Sequence, residues 1–309
     1  MEAGHCANAW LAVLKEIQNS DGGWGYHEDT QSRVEPTCWA LSALCSDRDF
    51  GPDSPVLDKA RRYLLANQRS DGSWTASPEM TTGNWVTSLA CAVLAHEAEA
   101  QGAISTGLAW LCQDYPFDSS PWMRFLHNFR RDSHISSHND SYRGWGWTPR
   151  TSSWVEPTAF ALLAMQEFKS SQLPPVASRR RELAVRLLYD RMCPGGGWNC
   201  GNPRVYGVPG GALVLPTSWA LIALRSSSEH KSKALSLAWL EAEIPKINSP
   251  GSLAVASMCL AAYGKKLPAT KLNLHACSLE NLLEDGTHVL AWVCLALNPS
   301  RTWPARIGG

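Results

Sequence analysis

A two-part phrase recurs along this chain and limits its fold more than any other feature. The first part reads Gln18-Asn-Ser-Asp-Gly-Gly-Trp24 and returns as Gln68-Arg-Ser-Asp-Gly-Ser-Trp74. The first copy leads, after a loop, into Val34-Glu-Pro-Thr-Cys-Trp-Ala-Leu-Ser-Ala-Leu44. Gly144-Trp-Gly-Trp147 likewise precedes Val155-Glu-Pro-Thr-Ala-Phe-Ala-Leu-Leu-Ala-Met165, and Gly195-Gly-Gly-Trp198 precedes Leu215-Pro-Thr-Ser-Trp-Ala-Leu-Ile-Ala-Leu224. A Gly–Trp turn followed by a Pro-Thr helix is one supersecondary unit. A unit of this size cannot bury its apolar face alone and must stack on further copies.

Each half has a physical reading. Trp10, Leu11, Leu14 and Ile17 fall at helical spacing ahead of the first turn,. Asp-Gly or Gly-Gly then stops the helix, because glycine accepts the left-handed backbone a helix end needs. Trp24, Trp74, Trp147 and Trp198 are expected to pack over those helix ends with each indole N–H on an acceptor. In the second half, proline is expected at the first helical position, where its missing N–H costs nothing. Glu35 and Glu156 are expected at or beside the N-cap, where the helix dipole favours negative charge. The run that follows is apolar on nearly all sides, the mark of a buried helix. Each unit thus supplies a more polar outer helix and a buried inner one.

In order, helices are predicted over 4–19, 35–46, 56–68, 83–99, 104–114, 156–170, 178–192, 215–227, 232–244, 251–263, 275–284 and 286–297. An irregular insert at about 115–143 breaks the pattern, and 199–214 is a Gly/Pro-rich loop. Twelve helices paired outer and inner close most naturally as two concentric rings. The predicted fold is all-α, a single α/α toroid (an α6–α6 barrel) over residues 1–309, with a cavity near the loops that lead into the inner helices.

The chain has 309 residues, zero formal net charge and scattered basic residues, which argues against nucleic acid,. Of its 10 cysteines, Cys38, Cys45, Cys91, Cys259 and Cys294 lie in apolar helical runs, where a thiol behaves as a small hydrophobe. With no signal-peptide pattern at the start, a reducing cytoplasm is the expectation. No apolar run approaches a membrane span. Phosphate-cradling and nucleophile-elbow glycine motifs are absent in a suitable context.

The Gln…Gly-x-Trp turns at 18–24 and 68–74 resemble the Q-W repeats of triterpene cyclases, the squalene–hopene and oxidosqualene cyclases. The toroid also resembles the β-subunits of protein prenyltransferases. The resemblance covers most of residues 5–225. It implies an isoprenoid-handling enzyme, a cyclase or isomerase started by protonation. Triterpene cyclases protonate with the middle Asp of an Asp-x-Asp-Asp-Thr-Ala motif. Ser153-Trp-Val-Glu-Pro-Thr-Ala159 is the nearest segment here, and it lacks the paired aspartates. Those enzymes also place the active site between two toroids, whereas this chain has length for one. The Asp-x-Cys zinc pair of prenyltransferases and the aspartate-rich magnesium motif of class I terpene synthases are both missing.

Glu156 is the first candidate acid, followed by Asp140 and Glu35, with His138 as a base or proton partner. Burial would raise such a carboxyl's pKa and the helix dipole would lower it, so a protonating acid needs burial to win. The alternative is a structural cap. His127, Asp132, His134, His138 and Asp140 crowd the insert, where acid/base work, a metal or a solvated loop are all open. Trp39, Trp85, Trp154, Phe160, Trp219 and Tyr206 are the expected substrate-binding residues, since aromatic faces stabilise passing cations. Core packing is the competing account. Arg33, Arg150 and Arg204 share the rim with Tyr206 and Tyr26. No cofactor and no protein-held metal is expected; magnesium would enter only with a diphosphate substrate. The expected partner is an apolar, isoprenoid small molecule. Peripheral membrane contact and a partner subunit stay open. So do a non-catalytic lipid-binding or interaction module, and a cyclase or hydrolase acting on a non-isoprenoid or mixed terpenoid compound.

Overall fold

The computed structural model describes residues 3–46, 54–113, 116, 139, 141–265 and 279–298. Most of the insert, including His127, Asp132, His134, His138 and Asp140, lies outside the described residues. The described helices are α1 (Ala3–Glu16), α2 (Val34–Cys45), α3 (Pro55–Ala66), α4 (Val86–Val93), α5 (Gln101–Gln113) and α6 (Val155–Gln166). They continue as α7 (Ala177–Asp190), α8 (Val214–Ala223), α9 (His230–Glu243), α10 (Pro250–Ala262), α11 (Leu279–Asp285) and α12 (Thr287–Leu297).

The even-numbered helices form the inner ring. Each packs on the next, and α12 packs back on α2, so the ring closes. The odd-numbered helices lie outside: α3, α5, α7 and α9 each pack on the inner helix that precedes them, α11 packs on α12, and α1 packs on α12 and α2. Burial follows from composition. In α2 every residue except Glu35 is buried, whereas in α3 only Leu57, Ala60, Tyr63 and Leu64 are, a single stripe at helical spacing,. The expected all-α toroid is the observed fold. The one strand pair described is a short hairpin in the 199–214 loop, Arg204–Val205 against Val208–Pro209.

The recurring phrase builds one hydrogen-bonded joint four times. The indole N–H of Trp24 donates to Leu14 O at 2.7 Å, that of Trp74 to Leu64 O at 2.7 Å, and that of Trp198 to Leu188 O at 2.5 Å. A threonine near the start of each inner helix takes the backbone N–H of the same tryptophan: Thr37 Oγ1 from Trp24 at 2.9 Å, Thr87 (which follows Val86 rather than a proline) from Trp74 at 3.0 Å, and Thr217 from Trp198 at 2.8 Å. Each joint thus satisfies buried polar groups of the turn while pinning an outer helix end to an inner helix start. Gln18 Nε2 donates to Gly22 O and to Val56 O in the first turn of α3, and Gln68 Nε2 donates to Gly72 O and to Ala103 O in the first turn of α5. The glutamine therefore couples one unit to the next. Gly22 holds φ +90°, and a Cβ there would stand 2.5 Å from Lys59 O, so both conformation and space require glycine,.

Several sequence expectations change in detail. In the third unit Trp145, not Trp147, is the joint tryptophan, with its indole on Leu111 O at 2.9 Å and its backbone N–H on Thr158 at 3.0 Å. Trp147 instead meets Trp85 edge-on at 5.3 Å. Two Gly-Trp steps overlap in Gly144-Trp-Gly-Trp147, and only the distance to the threonine separates them. The helices start earlier than the prolines suggest. Arg33 and Trp154 occupy the N-cap positions without a side-chain cap bond, Glu35 and Glu156 stand second, and Pro36 and Pro157 stand third. Proline is still harmless there, because first-turn N–H groups have no intrahelical partner. α4 ends at Val93 rather than 99, and Gln101 Nε2 donates to the carbonyls of Ala95 and Glu97 beyond it.

Candidate active site

The closed ring places α2 opposite α8 and α6 opposite α12. The sixth residue of each of these helices is aromatic: Trp39, Trp219, Phe160 and Trp292. They meet across the barrel. Trp39 stacks on Trp219 at 5.5 Å and touches Trp292 edge-on at 5.5 Å. Phe160 lies 5.2 Å from Trp219 and 6.2 Å from Trp39. Trp85, ahead of α4, stacks on Phe160 at 5.2 Å and is only half-buried. Contacts between side chains of opposed helices occur only on the axis, so these rings form an aromatic floor inside the barrel.

One helical turn above each floor residue, on the same helix face, stands the second residue of the helix: Glu35, Glu156, Leu215 and His288. Two carboxyls and an imidazole therefore ring the mouth. They sit in different environments. Tyr26 donates its hydroxyl to Glu35 Oε2 at 2.5 Å. Burial raises the Glu35 pKa, and hydrogen bonds from Tyr26 and Trp39 oppose that rise. Burial and then the charge of Glu35 push the Tyr26 phenol well above its ordinary value, so the shared proton stays on the phenol,. Among the described residues Glu156 has no hydrogen-bond or ion-pair partner, and burial pushes its pKa up to about 7. At this position burial outweighs the helix dipole. His288 meets Tyr26 edge-on at 5.8 Å and Trp292 at 5.1 Å.

Beside the start of α6 is a cavity of about 490 Å³ lined by Ser153, Trp154, Arg191, Asn199, Cys200 and Val205, among others. The peptide N–H of Val155 bonds to Cys200 O at 3.1 Å, which joins this cavity wall to the turn that carries Glu156. Trp154 is 37% exposed on that wall. Tyr206, at the hairpin tip, is 75% exposed and outside the lining.

The sequence thus located Glu35, Glu156, Trp39, Trp85, Phe160 and Trp219 around one axis. It also grouped Trp154 and Tyr206 with them, whereas the structure sets Trp154 on the wall of the side cavity and Tyr206 at the exposed hairpin tip, away from that floor. Asp140 and His138 fall outside the described residues. The arginines do not converge on one point: Arg33 pairs with Glu79 at 3.1 Å, Arg204 donates to Gly207 O at 3.2 Å, and Arg150 is exposed. Among the described residues no three His, Cys, Asp or Glu side chains cluster as metal ligands. No described helix is long and apolar enough to cross a membrane. Sequence reading missed His288 and Trp292, although their spacing of four repeats that of Glu35 and Trp39. The last unit has lost the Gly–Trp turn and Pro-Thr pair that set the register elsewhere.

No protein-family model matches the chain. Over 69 residues, 22% of this chain, it is 39% identical to drimenyl diphosphate synthase of Streptomyces showdoensis. Over 85 residues, 24% of the chain, it is 34% identical to squalene–hopene cyclase of Bradyrhizobium diazoefficiens. The chain's relatives are terpene cyclases. These matches span only 13% and 12% of those terpene cyclases' own lengths. Among solved structures, a variant of the type II terpene cyclase MstE from Scytonema, in complex with geranylgeranyl dihydroxybenzoate, aligns with TM-score 0.61 and 13% identity over 96% of this chain and 97% of that one. An α-1,6-mannanase of Salegentibacter in complex with α-1,6-mannotriose aligns with TM-score 0.62 and 11% identity over 97% of this chain and 99% of that one. At such identities the likeness is one of fold, and the fold is shared by cyclases and a glycoside hydrolase.

Proposed function

We propose that this chain is an isoprenoid cyclase that begins by protonation, with Glu156 as the acid. The observation that carries this reading is a carboxyl with a pKa of about 7 and no hydrogen-bond or ion-pair partner among the described residues, set one turn above an aromatic floor. A carboxylic acid that stays protonated near neutral pH can deliver its proton to an alkene or epoxide. The cation this creates needs a nearby environment that stabilises positive charge without a nucleophile. Aromatic faces provide that: Phe160 stands one turn below the acid on α6, and Trp85 stacks on Phe160,. The terpene cyclases among the relatives, and the prenylated aromatic bound by MstE, point to the same substrate class. Proton transfer and carbon–carbon bond formation need no redox cofactor. Magnesium enters this reading only as the counter-ion of a diphosphate substrate.

Within it, Glu35 is held as a hydrogen-bond acceptor for Tyr26 rather than as the donor, because its oxygen already receives a proton donor. The cavity beside Trp154, whose wall is bonded to the start of α6 through Val155 N–H and Cys200 O, suits the polar end of a substrate, with Arg191 and Asn199 in its wall.

The test is incubation of the purified protein with polyprenyl diphosphates, epoxides, squalene and prenylated aromatics, with and without magnesium, read by mass spectrometry. A product isomeric with its substrate, abolished in Glu156→Gln, is the expected result. Retention of one compound through desalting without turnover would instead mark a binding module. Turnover undiminished in Glu156→Gln would remove Glu156 from the mechanism.

A further inference from the structure

His288 is the one member of the mouth ring that the sequence did not single out, and its surroundings are unusual. It occupies the second position of α12, as Glu156 does in α6, and the closed ring sets those two helices opposite each other. Nδ1 is buried, and among the described residues it has no hydrogen-bond partner. The indole N–H of Trp292, one turn below, is likewise buried without a partner. An unsatisfied buried polar group is rare enough in folded proteins to need an explanation. The barrel core could have taken an apolar residue at this position, as Leu215 shows in α8.

The electrostatics favour a neutral ring. Burial first, and then the charge of His27, lowers the His288 pKa, with Asp285 opposing. The groups facing it are Tyr26 edge-on, His27 from the same loop, Asp285 from the end of α11 and Trp292 below. Tyr26 O receives the peptide N–H of Thr287 at 2.7 Å, so the Tyr26 loop and the start of α12 are fixed to each other. A neutral imidazole is a proton acceptor.

We infer that His288 is the base that ends the reaction, accepting a proton from the final carbocation across the aromatic floor from Glu156. This rests on the cyclase reading above. The Glu156 O–H bond breaks and a new C–H bond forms at one end of the substrate. The π electrons of successive alkenes form the ring bonds, and the positive charge moves toward α12. A C–H bond beside the last cationic carbon then breaks, its electron pair becomes the new alkene, and the proton passes to the other His288 nitrogen, Nε2. Proton exchange with solvent restores the neutral imidazole and the protonated Glu156. Substrate and product are isomers, and no oxidant or reductant is consumed.

The test compares wild type, His288→Ala and His288→Gln with the substrate panel in deuterated water. Deuterium at the initiating carbon reports the Glu156 step, and the alkene-to-alcohol ratio of the products reports the final step. In both variants deuterium should still enter, while the share of the wild-type alkene should fall at least tenfold in favour of water-trapped or earlier-terminated products. An unaltered alkene share in either folded variant would overturn the assignment. If His288→Ala melts far below wild type, His288→Gln, which keeps a polar side chain of similar reach, decides the question. Failure of both to fold would make His288 a structural residue and also overturn it. Absence of turnover in the wild type would sink the cyclase reading and this inference with it. Turnover with unchanged products would sink this inference alone.

Discussion

Glu35 and Glu156 show how neighbours divide two copies of the same residue. Both stand second in an inner helix, and both are raised by burial. Tyr26 hydrogen-bonds only the first. A buried carboxyl with a pKa near 7 also affects stability. Its folded pKa lies above the usual carboxylate value, so between about pH 4.5 and 7 the folded state binds more protons than the unfolded one, and stability falls as pH rises,. The penalty is absent below the unfolded pKa and complete above about 7. Glu156→Gln removes it. Unfolding by urea at pH 5 and pH 8 should show the variant gaining on wild type by on the order of 2 kcal/mol between the two. Turnover should move the other way. Activity that needs the protonated acid stays level below about pH 7 and falls about tenfold per unit above it, and Glu156→Gln should lose roughly 10²–10⁴-fold with its circular dichroism spectrum unchanged,. A flat profile from pH 6 to 9 would exclude Glu156 as the donor.

At the scale of elements, the joint between helices is the unit of stability, and most of it was legible in the chain. The Gly-Trp turn announced both the helix stop and the indole bond, because glycine conformation and a buried indole leave few alternatives. The threonine's part was written in the Pro-Thr pair, but its bond to the tryptophan N–H is a contact across 13 residues that no local pattern reveals. The misplacement of Trp147 for Trp145 has the same origin. Candidate-site residues were readable where the phrase survives, at Glu35, Trp39, Glu156, Phe160 and Trp219, and unreadable in α12, where nothing anchors His288 and Trp292 to the register. Two substitutions test the joint. Thr158→Val keeps shape but leaves the buried Trp145 N–H without its acceptor, which should cost about 1–3 kcal/mol in denaturant unfolding. Gln68→Ala removes the bonds to Gly72 O and Ala103 O and should cost about 1–2 kcal/mol, since these groups are only partly buried. Equal stability of Thr158→Val and wild type would mean that the threonine contributes only its methyl group.

The closed ring joins these joints into one body. In an open solenoid a terminal repeat touches one neighbour and can fray without disturbing the rest. Here α12 packs on both α10 and α2, so the last inner helix and the first share one wall. The aromatic floor has the same closure, with Trp292 of α12 against Trp39 of α2 at 5.5 Å and Trp219 of α8 at 6.0 Å. Asn298 Nδ2 adds a bond to Ser46 O at 2.9 Å, tying the C-terminal ends of α12 and α2 together across 252 residues. Ring closure should therefore make unfolding cooperative across all units rather than progressive from either end. A chain ending at Gly264 loses α11 and α12 and exposes the apolar sides of α2, α10 and α1 together with Trp39 and Trp219. Such a chain should keep far-ultraviolet helical signal, lose its sharp thermal transition and bind a hydrophobic dye, because local helices persist after specific packing is lost. The discriminating comparison is Trp292→Ala in the full chain, expected to lower stability by about 3–5 kcal/mol through the cavity left in the floor while the transition stays single. A truncated chain that melts as sharply as the full one would show instead that the units are stable as an open stack, and that the floor is not what holds the ring shut.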